Sequence, residues 1–242
     1  MNKPKKCKGI NKAHGFDGCN TASSNRRFGL CPACLWDWML TDERGKIWRE
    51  KQFIPKVEKK QKQLDREKTK EAKINLMSPD KYRAKYVQPL INQIARLIDY
   101  GHPCIATGNY EGKMAGGHYT SVGSNRTICL NLHNIFIQSF HSNSWSGGDD
   151  KKYQARLKDI FGEDYFDFVN SLKGHRPIKL SKMELIEIKT KAQQIVNRLQ
   201  RINFIRNSED RILARNAVNR ELGIYDLEYS IYKIKELKKA KV

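Results

Sequence analysis

The sequence predicts an α+β fold, mostly helical. A small N-terminal cysteine-rich module is followed by a charged helical linker and a ββα core flanked by helices. Three observations predict it. Four of the six cysteines fall within the first 34 residues. The stretch from Lys56 to Lys73 is almost free of apolar residues. Beyond it, apolar residues recur at helical spacing on both sides of a glycine-rich segment.

Residues 1–48 are rich in Gly, Asn, Cys and Trp and show no helical period except over Leu35–Leu40. Residues 49–78 are dominated by charge and fit a solvated helix or an extended linker, but cannot build a core. Residues 79–206 carry the apolar content of a folded domain. Residues 207–242 read as an added basic helical tail.

Within 79–206, Val87, Leu90, Ile91, Ile94 and Ile98 mark an amphipathic helix, kinked or restarted near Pro89 and ending at Gly101-His102-Pro103. From Cys104 the pattern changes. Glycines cluster at Gly108, Gly112, Gly116 and Gly117, and Thr127-Ile128-Cys129-Leu130 reads as a short strand after a loop at Val122–Asn125. Helical spacing returns with Tyr153, Leu157 and Ile160, then with Tyr165, Phe168, Val169 and Leu172. A last long helix opens on the capping box Ser181-Lys182-Met183-Glu184 and buries Ile188, Ala192, Ile195 and Leu199.

Charge narrows the function classes. Against 46 Lys and Arg stand 26 Asp and Glu, a net charge of +20. An excess of that size fits a polyanionic partner, a nucleic acid above all. No apolar run approaches the ~18 residues of a membrane span. The basic start Met1-Asn2-Lys3-Pro4-Lys5-Lys6 is not followed by an apolar run, so no secretory signal is expected. A reducing cytoplasm is the expected compartment, where cysteines more often bind metal than form disulfides.

Cys31-Pro32-Ala33-Cys34 is a C-x2-C pair whose turn can place two thiolates on one tetrahedral ion. Cys7 and Cys19 can complete a four-cysteine zinc site, with His14 as a substitute ligand. Zinc would supply folding energy that so short and glycine-rich a segment lacks. Four free thiols are the alternative; a redox pair is disfavoured because no βαβ pattern surrounds it. Seven Lys and Arg against one Asp in residues 1–34 make this module a phosphate-contacting surface as well. Trp36, Trp38 and Trp48 read first as core, with base stacking as the alternative.

Gly116-Gly117-His118-Tyr119, Asn134 and Asn143 form a His-x15-Asn-x8-Asn constellation. It resembles the ββα-metal (HNH-type) nuclease arrangement, with a His that activates water, an Asn that braces the loop, and a third residue on the helix that holds a divalent cation. A neutral imidazole can take a proton from water near pH 7. Mg²⁺ or Mn²⁺ keeps several waters, so few protein ligands are needed.

From His102-Pro103-Cys104-Ile105 through Gly117-His118-Tyr119, Asn134-Ile135, Asn143, Gly148, Tyr153, Leu157 and Gly162 into the capped helix, the chain is similar to the NinG (Rap) family of phage recombination proteins. The resemblance covers about residues 50–205. It implies a metal-dependent, structure-specific endonuclease acting on D-loops and Holliday junctions, in a bacterial host's cytoplasm. His118 would be the general base, Asn134 the loop brace and Asn143 the residue on the metal side. Branched or single-stranded DNA would be the partner, and a homodimer is compatible with cutting a symmetric junction. A non-catalytic binder of such DNA on the same fold, or a basic zinc protein that binds RNA, are the alternatives.

The chain also departs from the family pattern. Two further C-x-x-C pairs are reduced to Cys104 with Thr107, and to Ser139 with Ser142, so no second zinc is expected there. Packing by Phe136, Phe140 and Trp145 should hold the helix expected around Phe136–Trp145. Ala115 replaces an acid three residues before His118, and Gly117 stands where many HNH-type enzymes carry one. His141, Asp149 and Asp150 are the nearby candidates for a second ligand.

Overall fold

A computed structural model describes residues 3–10, 15–144, 150–202 and 204–234. The chain divides into two compact units, Met1–Leu76 and Met77–Val242. It is mostly helical, with two small two-stranded sheets.

In the first unit, β1 (Lys5–Lys6) pairs antiparallel with β2 (Ala22–Ser23). A tight turn at Arg27–Leu30 leads to α1 (Pro32–Thr41), which starts where Pro is favoured, at the first helical position. Asp42 ends α1 and caps α2 (Glu43–Trp48), accepting from the amides of Arg44 and Gly45. Gly45 is required because a Cβ there would lie 2.1 Å from the Trp38 carbonyl oxygen. Cys7, Leu30, Cys31, Trp38 and Met39 are this unit's core. A π-helical turn (Arg49–Phe53) continues into α3 (Ile54–Asn75), none of whose residues is buried. The charged stretch is therefore a solvated helix rather than an extended linker.

The second unit is built around α5 (Gln88–Ile98), which follows α4 (Pro79–Tyr82) and a π-helical turn (Arg83–Val87) that absorbs the Pro89 break. Ile91, Ile94, Ala95 and Ile98 form its buried face. It packs on one side against β3 (Met114–His118) and β4 (Ile135–Ser139), and on the other against α9 (Lys182–Leu199). The strands pair antiparallel, with Gly116 opposite Ile137 and His118 opposite Ile135. Gly116 is what lets α5 lie so close, since a Cβ there would stand 2.6 Å from the Asn92 carbonyl oxygen. The short helix α6 (Phe140–Ser144) follows β4 directly. Then α7 (Asp150–Phe161) and α8 (Glu163–Ser171) close over Phe136 with Tyr153, Leu157, Tyr165 and Val169. The Ser181–Glu184 capping box is present at the start of α9.

Three expectations are corrected. Thr127–Leu130 is not a strand. Its apolar side chains are buried, but the Leu130 amide donates to the Tyr225 hydroxyl and the Cys129 amide to the Arg126 carbonyl, a turn rather than a ladder. The second strand lies at 135–139, where a helix was expected. All five of its residues are buried, so it shows no alternation to read. The helix begins only at Phe140, which is exposed, while Phe136 is core and Trp145 lies outside the described residues.

The segment set apart as a tail also belongs to this unit through α10 (Ser208–Leu222) and α11 (Leu227–Ser230). Arg211 and Arg215 of α10 are buried against Asp99 at the end of α5. Arg211 Nε donates to Asp99 Oδ1 at 2.8 Å, and Arg215 Nη2 reaches Oδ1 and Oδ2 at 2.8 and 2.7 Å. Asp99 Oδ2 also accepts the Ile137 amide at 2.9 Å, which ties β4 to the same carboxylate. Among the described residues, no helix is long and apolar enough to cross a membrane.

Candidate functional site

The first unit brings Cys7, Cys19, Cys31 and Cys34 together, with all four sulfurs within 4.8 Å of one another. Cys19 and Cys31 sulfurs are 3.6 Å apart, too far for a disulfide and close to the ~3.8 Å edge of a zinc tetrahedron with Zn–S bonds of about 2.3 Å. Backbone positions each thiol. Cys7 is held by paired bonds with Thr21 and Asn20, its sulfur receives the Cys31 amide at 3.1 Å, and Cys31 and Cys34 sit at the N-terminus of α1. Thr21 pulls the Cys19 thiol down to about 6. Beside it, the Cys34 thiol is pushed up to about 12, chiefly by Cys19. Four thiols this close cannot all ionise without a cation among them, and four sulfur donors at this spacing fit zinc. His14 lies outside the described residues.

In the second unit His118 and Asn143 line one cleft of about 740 Å³. His118 closes β3 and is half-buried. Its Nε2 lies 2.9 Å from the Cys129 carbonyl oxygen, which can only accept, and 3.1 Å from the Gln88 side-chain nitrogen, whose two hydrogens go to that carbonyl and to Asn92 Oδ1, so Nε2 carries the proton. The same carbonyl accepts the Gln88 amide at 2.8 Å, and Gln88 also donates to Asn92 Oδ1 at 2.9 Å. The Nδ1 lone pair of His118 has no hydrogen-bond partner among the described residues. Burial first, then the Arg83 charge, holds the imidazole below its ordinary range despite the Cys129 bond, so it is neutral at pH 7.

Asn134 does not face the cleft. It is fully buried, and its amide accepts the Thr120 amide at 2.8 Å and donates to the Thr120 carbonyl at 3.0 Å, pinning the start of the loop after His118. Asn143 is exposed on α6.

Sequence reasoning did not single out Lys151, Gln154 and Lys173, which also line the cleft, or Gln88, which fixes the Cys129 carbonyl. Lys173 was legible only as one charge among many; it stands 5.1 Å over the Tyr119 ring. None of the described cleft-lining residues is Asp or Glu. The described side chains at the cleft offer imidazole, hydroxyl, amide and ammonium groups. His141 is exposed on α6, Asp149 lies outside the described residues, and the Asp150 side chain is not described. Gly117 has no room for an acid: a Cβ there would lie 1.9 Å from Gln138 Oε1 and 2.8 Å from Gln138 Cβ.

Cys104, Thr107, Ser139 and Ser142 converge below the hairpin. Cys104 Sγ receives the Thr107 amide at 3.4 Å, and Ser139 Oγ receives the Ser142 amide at 3.2 Å. Hydrogen bonds from Thr107 and Ser139 bring the Cys104 thiol below its ordinary range although burial opposes them.

No curated protein and no solved structure gives a significant match. A family model described as the bacteriophage lambda NinG protein matches residues 31–202. That span takes in Cys31, Cys34 and the whole His118 cleft, and leaves out Cys7, Cys19 and α10. It covers more than two thirds of the sequence, and the chain belongs to the bacteriophage lambda NinG protein family.

Proposed function

We propose that this protein is a structure-specific DNA endonuclease that hydrolyses phosphodiesters in branched recombination intermediates such as D-loops and four-way junctions. One observation carries the reading: a neutral, half-buried histidine whose Nε2–H is locked on a carbonyl, leaving Nδ1 free in a cleft with lysines at its rim. The hairpin followed directly by α6 supports an HNH-like core.

His118 Nδ1 takes the proton of the attacking water as its oxygen bonds to phosphorus and the bond to the leaving sugar oxygen breaks. Asn134 keeps the loop after His118 in place. Lys151 and Lys173 draw the phosphate in. Asn143 offers its amide oxygen to a hydrated Mg²⁺ or Mn²⁺, which when bound would relieve charge on the phosphate and the leaving oxygen.

The test is cleavage of a labelled four-way junction with Mg²⁺, Mn²⁺ or EDTA. His118→Ala should lower the rate by about 10²–10⁴-fold with junction affinity nearly unchanged, because the lost interaction exists only in the transition state. Because His118 is held below its ordinary range, the rate should rise with pH up to that lowered value and be level above it. Wild-type protein that binds the junction tightly yet cuts no faster than His118→Ala with either metal would refute the nuclease. The absence of carboxylates among the described cleft residues favours the second reading in that case, a non-catalytic binder of branched DNA.

A further inference from the structure

We propose that the first unit carries a stacking platform for unpaired nucleobases, with Phe28 and Trp36 as its contact rings. The proposal rests on the nucleic-acid partner argued above, but not on cleavage.

The first support is a turn whose sequence departs from what its backbone prefers. Arg27 and Leu30 exchange both backbone hydrogen bonds, at 3.0 and 2.9 Å, around Phe28 and Gly29. Both central residues have positive φ, +54° and +84°. A two-residue turn of this kind favours Asn, Asp or Gly at each central position. A bulky aromatic there is strained, and such strain concentrates where a side chain is presented to a ligand. Phe28 is presented: 46% of its surface is exposed while its ring stands edge-on to Trp38 at 5.7 Å and Trp48 at 5.4 Å.

The second support is that the row continues. Trp48 meets Phe53 at 6.0 Å, and Phe53 meets Trp36 at 6.3 Å. Trp36 is 48% exposed. Two exposed rings thus end a braced aromatic row, which a lone exposed apolar residue would not explain.

The third support is charge. Arg27 lies 4.7 Å over Trp48 and 5.5 Å over Phe28, and Arg49 lies 5.9 Å over Trp36. Guanidinium groups beside aromatic faces can pair with phosphates while the rings take the bases, the combination that binds single strands without sequence preference. Lys6 and Lys8 lie beside the turn, as the Lys8 amide donates to the Gly29 carbonyl at 3.2 Å and Arg26 Nη1 to the Lys6 carbonyl at 2.6 Å; Asp17 is the single acid among residues 1–34, and Asp37 follows Trp36.

The test uses the full zinc-loaded chain, with fluorescence anisotropy of labelled oligothymidylate, oligouridylate and a DNA duplex of equal length. Phe28→Asn suits the turn better than Phe, so zinc content and fold should persist; Trp36→Ala removes an exposed ring. Each should weaken single-strand binding on the order of tenfold, the effect of losing one base stack. Neither should change the salt slope, because no phosphate contact is lost. Duplex affinity should hardly move, and the two oligonucleotides separate DNA from RNA as the source of the bases. Unchanged single-strand affinity in both variants overturns the platform and leaves the rings to a protein partner. An equal loss on duplex and single strand also overturns it. Wild-type protein that binds none of the three probes would instead refute the nucleic-acid partner itself.

Discussion

Replacing Asp99 with Asn should be among the most damaging single changes in the second unit. Asp99 is fully buried and its carboxylate accepts four hydrogen bonds, three from Arg211 and Arg215 and one from the Ile137 amide. An amide in its place keeps one acceptor oxygen, turns a donor toward the guanidinium groups and removes the charge that balances them. Breaking a buried pair from one side costs about 3–5 kcal/mol. A second route gives a similar scale. Burial alone would raise Asp99, but Arg215 and Arg211 overcome it and hold the group at about 2, against an ordinary 3.8. At about 1.4 kcal/mol per tenfold change in proton affinity, that difference contributes about 2 kcal/mol. A depressed folded value means the contribution is present above pH 4 and lost as pH falls toward 2. The proton figure is the smaller because protonation leaves both oxygens in place. The assay is urea unfolding at pH 7 followed by hydrogen exchange in a peptide covering 135–139, which reports on β4 directly. A loss below about 1 kcal/mol, the worth of one ordinary hydrogen bond, would refute the reasoning.

Two further outcomes follow from the geometry. Purified protein should contain about one zinc per chain, and Cys31→Ser should lose it while Cys104→Ser does not, as elemental analysis would show. Gly116→Ala should destabilise the hairpin by about 1–3 kcal/mol, because the neighbour its methyl meets is the backbone of α5; thermal unfolding would measure it.

Much of this was legible in the sequence because local rules and periodicity carried it. Ile91, Ile94 and Ile98 announced α5 by spacing, and Ser181 with Glu184 announced the start of α9. The C-x2-C pair pointed to a cluster that also gathers the distant Cys7 and Cys19. What failed were segments whose burial hides their period. Ile135–Ser139 is covered on both faces, so a strand looked like part of a helix, while Thr127–Leu130 is buried in a turn and looked like a strand. The role of α10 was illegible for a different reason. Arg211 and Arg215 fell within the stretch read as a basic tail because their partner lies more than a hundred residues earlier, and pairing over that distance leaves no local trace. Spacing singled out His118 and Asn143, and both line the cleft. Gln88 was not singled out, since a glutamine that orients another residue's hydrogen-bond partner has no motif.

The distance between Asp99 and its two arginines also sets an order of events during synthesis. Arg211 follows Asp99 by 112 residues. At about 5–20 residues per second, a ribosome needs roughly 6–22 s to cover that interval. For that time α5, joined partway through by the Ile137 strand, exists without the charges that let Asp99 be buried. The hairpin that carries His118 therefore cannot settle around this carboxylate until α10 has emerged, and the cleft is assembled only after a helix that contributes nothing to its lining has been made.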